Sequence, residues 1–188
     1  MTSRKKYKKE LKKKKEKYKI QRAEQGFSQE DVWNMYDWFI HTVKPMLQHL
    51  RNNHVGSPAF LNEQHTDENG TPVFEGCDEK WNEILDRMIF LLGEMDEESC
   101  SVKNRYEEEW ENAYQEFEEK YGLFGEKLLT EEEQKASSRR AYLPGDLPEY
   151  KEISEKHMNE EIEIGKYRVK CKDEFFELFS EYFYDLWD

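Results

Sequence analysis

Five histidines, three cysteines and a large excess of carboxylates define the chemistry open to this 188-residue chain. Asp37 and His41 lie four residues apart, so on a helix they face the same way and offer two metal ligands. The pattern goes no further. A di-iron helical bundle needs Glu-x-x-His pairs on two helices, and no Glu stands three residues before His41, His49, His54, His65 or His157. HExxH is also absent. Ordinary surface or core histidines are the favoured reading, and neither a metal nor another cofactor is expected.

Nucleophiles fare no better. Ser57, Ser99 and Ser101 lack the GxSxG elbow. Cys77 and Cys100 fall near expected helix starts, where the dipole favours a thiolate, but Asp78, Glu97 and Glu98 beside them oppose it. Glu163 with Lys166 has the residue types of a nuclease site, yet a solvated helix face explains the pair more simply. There is no P-loop and no GxGxxG, and Gly122-Leu123-Phe124-Gly125 reads as a helix stop. No enzyme is expected.

Charge distribution is the more informative feature. The net charge of −13 conceals a division. Residues 1–22 carry 12 Lys or Arg against Glu10 and Glu16, while the remainder carries 40 acidic and 17 basic side chains. Lys5, Lys6, Lys8, Lys9, Lys12, Lys13, Lys14 and Lys15 form the densest basic run, suited to nucleic acid or an acidic partner. Its poverty in Arg fits general charge attraction better than base reading. The run could equally meet the protein's own acidic body or a second copy. The acidic residues of interest are Glu107, Glu108, Glu111, Glu118, Glu119, Glu181 and Asp185. Solubility is their plainer explanation. The sharper one is a row of carboxylates that imitates a phosphate backbone and occupies a basic surface.

These side chains need elements to position them. Charged residues make up 38% of the chain, but 5 Trp, 11 Tyr and 11 Phe supply enough apolar area for a slim core. An all-α fold follows: a bundle of four to five helices, one long irregular connection, and a basic N-terminal arm. Residues 1–25 are read as an arm, flexible or conditionally helical, and residues 26–188 as an acidic helical domain. Ser28 is expected to cap a helix running to about Leu50, with Asp31 at the third position and Phe27 against Val32. Pro45 predicts a kink or break near residues 41–44. Residues 52–77 read as the irregular connection, with a hairpin turn at Asp67-Glu68-Asn69-Gly70 and a short strand at Val73 and Phe74. Further helices are expected from Asp78, with Gly93 weakening its end, from about Ser101 to Tyr121, after Thr130, and from about Glu149 to Trp187 with an interruption at Gly165. The scattered cysteines, the lack of an apolar run of about 20 residues and the lack of a secretory signal predict a soluble, cytoplasmic protein.

Three segments also resemble a known pattern. They are Gly26-Phe27-Ser28-Gln29-Glu30-Asp31-Val32-Trp33, Trp81-Asn82-Glu83-Ile84-Leu85-Asp86-Arg87-Met88-Ile89, and Phe179-Ser180-Glu181-Tyr182-Phe183-Tyr184-Asp185-Leu186-Trp187-Asp188. Together they resemble a family of uncharacterised proteins encoded by bacteriophages and prophages. The resemblance implies no activity, cofactor or catalytic residue. It does imply a setting inside an infected bacterium. The leading expectation is a binder of a host protein, such as an anti-CRISPR or anti-restriction inhibitor acting by nucleic-acid mimicry or steric blocking. The alternatives are a nucleic-acid-binding accessory factor that uses the basic arm, and a virion or assembly component.

Overall fold

The computed structural model describes residues 3–58, 61, 66–72, 76–135 and 140–187. The fold is all-α. Among the described residues there are six α-helices: α1 (Ser3–Gln25), α2 (Met35–Asn53), α3 (Cys77–Met95), α4 (Glu107–Tyr121), α5 (Glu131–Lys135) and α6 (Pro148–Glu181). They divide into two compact units, one of Met1–Ser99 with Glu174–Asp188 and one of Cys100–Asp173.

In the first unit α2 packs on α3. The apolar stripe of α3 buries Trp81, Leu85, Met88, Leu91 and Leu92, and α2 contributes Ile40 and Leu47. Phe39 meets an aromatic group from the end of α6, lying stacked on Phe176 at 5.7 Å and edge-on to Phe175 and Phe179. Two bidentate pairs flank this packing. Arg51 reaches Asp86 at 2.9 and 3.1 Å, and Arg87 reaches Glu174 at 2.6 and 2.7 Å.

The entry to α2 departs from the expected cap. Asp31–Asn34 form a 3-10 turn before α2 begins at Met35. Ser28 Oγ is buried and meets no hydrogen-bond partner, so its hydroxyl caps nothing. Only the reciprocal half of the motif forms: Asp31 Oδ2 accepts the Ser28 N–H at 2.6 Å and the Arg22 Nε–H at 2.9 Å. The Arg22 guanidinium and this N–H together hold the Asp31 carboxyl well below the usual carboxylate range. A lowered folded-state pKa adds stability that is complete above the ordinary aspartate value of about 3.9 and is lost as the pH falls below it. Asp31→Asn should therefore cost about 1–3 kcal/mol at neutral pH. Ser28→Ala should cost under about 0.5 kcal/mol, where a working cap would cost about 1. Urea melts of the two variants separate the cases.

The 3-10 turn also changes the phase of the apolar stripe. Three residues per turn instead of 3.6 rotate the early positions away from the core. Val32, Met35 and Tyr36 are exposed, and Trp33 is 90% exposed. Of the kink or break expected near residues 41–44, the break is absent, since α2 runs from Met35 to Asn53. Pro45 lies on the exposed side, where water can satisfy the freed carbonyl. α3 runs through Gly93 to Met95. Gly93 is buried where a Cβ would stand 2.8 Å from Lys44 Nζ.

Asp67–Gly70 form the expected turn. Asp67 Oδ1 accepts the N–H groups of Asn69 and Thr71 at 2.9 and 2.8 Å, and an isolated bridge joins Thr66 to Pro72. The strand expected at Val73 and Phe74 lies outside the described residues.

In the second unit Phe117, Tyr150 and Ile153 form the core, with Tyr106, Trp110, Ala113, Tyr121, Leu128, Tyr142 and Leu147 against it. α4 begins at Glu107, six residues later than expected. Asn104 Oδ1 accepts the Tyr106 N–H at 2.9 Å, and that local bond holds the preceding chain out of the helix. α5 starts on a complete capping box, with Thr130 Oγ1 accepting from the Glu133 N–H and the Glu133 carboxylate accepting from the Thr130 N–H. α6 spans 34 residues without interruption at Gly165 and ends at Glu181, short of Trp187, where a 3-10 turn (Phe183–Asp185) follows. The thiols of Cys77, Cys100 and Cys171 are all buried, which shields them from reagents in solution in the folded state.

Candidate functional site

The acidic residues singled out above fall into two groups. Glu181 is the exposed last residue of α6, and Asp185 is partly buried in the 3-10 turn after it. Glu107, Glu108, Glu111, Glu118 and Glu119 all lie on α4, and all five are exposed. A helix turns about 100° per residue. The apolar arc of Trp110, Ala113, Phe117 and Tyr121 therefore faces the core. Glu107, Glu111 and Glu118 cluster on one flank of it, about 100° round the helix, and Glu108 and Glu119 lie on the far side. From Glu107 to Glu119 these carboxylates span about 18 Å of axis, in uneven steps of about 1.5, 4.5, 10.5 and 1.5 Å.

Most of these charges are uncompensated. Among the described residues no cation pairs with the carboxylates of Glu108, Glu111, Glu118 or Glu119. The nearby Lys120 is committed to Glu116 and the Tyr150 hydroxyl, which hold its ammonium above the usual lysine value. Glu118 and Glu119 also sit in the last turn of α4, beside the negative end of the helix dipole. A carboxylate there costs about 0.3–1 kcal/mol. Lys127 Nζ answers that end of the dipole by donating to the Glu119 and Lys120 carbonyls at 3.2 and 3.1 Å. Glu107 differs from the others, because its Oε2 lies 3.0 Å from His157 Nε2.

The basic run lies on α1. Lys8, Lys9, Lys12, Lys13, Lys14 and Lys15 are exposed, and the side chains of Lys5 and Lys6 fall outside the described ones. Consecutive lysines necessarily occupy every side of a helix. Lys14 Nζ lies 5.3 Å from the ring centre of Tyr18, the one buried residue described on α1. Tyr7 and Leu11 on the same helix are exposed. At the end of α1, Gly26 adopts φ +81° and its N–H bonds the Arg22 carbonyl, closing the helix.

Two histidine clusters complete the picture. Asp37 and His41 do face one another, His41 Nδ1 lying 3.4 Å from Asp37 Oδ1, and Asp96 from the end of α3 joins them. The second cluster, Glu107, His157 and Glu161, was missed from sequence. Its one sequence signal is the four-residue spacing of His157 and Glu161. The third member comes from another helix and cannot be found by spacing.

Among the described residues no helix is long and apolar enough to cross a membrane. No protein-family model matches the chain, and comparison with curated proteins and with solved structures returns no match.

Proposed function

We propose that this chain is a non-enzymatic binding protein whose α4 carboxylate row engages the basic surface of a partner protein, in competition with the nucleic acid that surface would otherwise hold. A host defence protein of a phage-infected bacterium is the partner class this reading favours. The observation that carries it is that Glu118 and Glu119 stand at the negative end of the helix dipole with no cation paired to their carboxylates among the described residues. Stability does not ask for them, and solubility could be met by carboxylates placed anywhere else on the surface. A partner's cations would give them a role. The test is capture from lysate of infected cells at low and high salt, with the captured protein then challenged by labelled duplex DNA. Salt-sensitive capture, with DNA and this chain excluding each other, supports the reading. Capture unchanged by Glu118→Gln with Glu119→Gln, or simultaneous binding of DNA, would sink it.

A second reading rests on a separate observation, the exposed lysines around α1. They suit a polyanion, with an affinity that falls steeply as salt rises. Labelled duplex should then be shifted by the full chain at low salt and not by a variant with Lys8, Lys9, Lys12 and Lys13 changed to Gln. A shift that survives those changes rules out α1 as the contact.

A further inference from the structure

We propose that Glu107, His157 and Glu161 form a binding site for a borderline divalent metal ion such as Zn²⁺. Zinc accepts imidazole nitrogen and carboxylate oxygen at about 2.0–2.2 Å. Two such donors on a tetrahedral ion stand about 3.3 Å apart by geometry. His157 Nε2 and Glu107 Oε2 are already 3.0 Å apart. One ligand atom from each of the three residues lies within 4.8 Å of the others, so a closing movement of up to about 1.5 Å would bring them to the separation of tetrahedral ligands. His157 and Glu161 are one turn apart on α6, and Glu107 approaches from the first turn of α4. Both helices are anchored in the same core around Phe117 and Ile153.

The surroundings hold these ligands in place, as a working metal site requires. The His157 imidazole is stacked on Trp110 at 5.3 Å and 24°, which fixes its plane. Asn104 Nδ2 donates to Glu161 Oε1 at 2.8 Å and to the His157 carbonyl at 3.0 Å, leaving the second carboxylate oxygen of Glu161 for a metal. Asn104 is itself fixed through Oδ1 by the Tyr106 N–H. A divalent ion would balance the charges of the two carboxylates. Three protein ligands leave a fourth position for water or an exchangeable group, the coordination of an open zinc site.

The Asp37, His41 and Asp96 cluster lacks this preparation. His41 Nδ1 already faces the Asp37 carbonyl at 3.0 Å, and the Asp96 carboxylate accepts the Ser99 N–H at 3.1 Å.

Zn²⁺ titration of the full chain, followed by calorimetry, tests the assignment. The wild type should bind one equivalent saturably. His157→Gln and Glu161→Gln should each weaken binding at least tenfold, and Asp37→Asn should leave it unchanged. Glu161 is exposed, and a glutamine there can still accept from Asn104, so that variant reports even if His157→Gln folds poorly. Absence of saturable binding in the wild type overturns the proposal. So does undiminished binding by Glu161→Gln, or loss of binding through Asp37→Asn.

Discussion

Replacing Phe117 by alanine should lower the unfolding free energy of the second unit by about 3–5 kcal/mol, the usual range for a phenylalanine deleted from a packed core. Phe117 is 0% exposed, and its ring touches Tyr114, Tyr121 and Tyr150, the last edge-on at 6.1 Å. Tyrosines fixed at their hydroxyl ends cannot easily slide inward to fill the gap. Tyr121 donates to Glu149 at 3.0 Å, and the Tyr150 hydroxyl is 3.4 Å from Lys120 Nζ. The loss compares with a typical total of about 5–15 kcal/mol for a domain. Urea denaturation followed by tyrosine and tryptophan emission reads the midpoint. A control is Trp33→Ala, which should cost under about 0.5 kcal/mol because that side chain is 90% exposed. A Phe117→Ala cost below about 1.5 kcal/mol would mean that this core is not packed as described.

Glu118→Gln combined with Glu119→Gln should move stability and binding in opposite directions. Removing two carboxylates from the negative end of α4 should stabilise the fold by about 0.5–1.5 kcal/mol. If the row meets a basic surface, each exposed pair that is lost weakens binding by about 0.2–1 kcal/mol. Two pairs then correspond to an affinity loss of up to about thirtyfold at low salt, shrinking as salt screens the charges. Thermal melts and a salt series of binding measurements on one preparation give both numbers. A double variant that is more stable and binds equally well would leave the row as a solubilising surface.

How much of this was legible in the sequence depends on how local each determinant is. The stripe of α4 was readable because Trp110, Ala113, Phe117 and Tyr121 recur within one arc of one helix. The Thr130 cap was readable because its box closes over three residues. The start of α4 was not: Asn104 bonds the nearby Tyr106 N–H, but its side chain is also tied to His157 and Glu161 on α6, more than 50 residues away, and spacing does not show that contact. The Ser28 cap failed as well. The Asp31 N–H that the Ser28 hydroxyl would have accepted bonds the Ser28 carbonyl at 3.1 Å instead, and the chain enters α2 through a 3-10 turn that no spacing of apolar residues announced. Of the metal-type clusters, the Asp37–His41 pair was visible as a spacing, while Asp96 and Glu107 arrive from other helices. Convergence of that kind belongs to packing, and one sequence does not display it.

The three buried cysteines provide an internal clock. A thiol reagent can modify Cys77, Cys100 or Cys171 only after the surrounding chain opens, so the labelling rate measures the frequency of opening at each position. Cys77 belongs to the first compact unit, and Cys100 and Cys171 belong to the second. Mass spectrometry of peptides from a labelling time course would therefore time the two units separately in one sample. Equal rates at all three cysteines would indicate a single cooperative transition, and unequal rates would rank the units by kinetic stability, with no engineered probe in the chain.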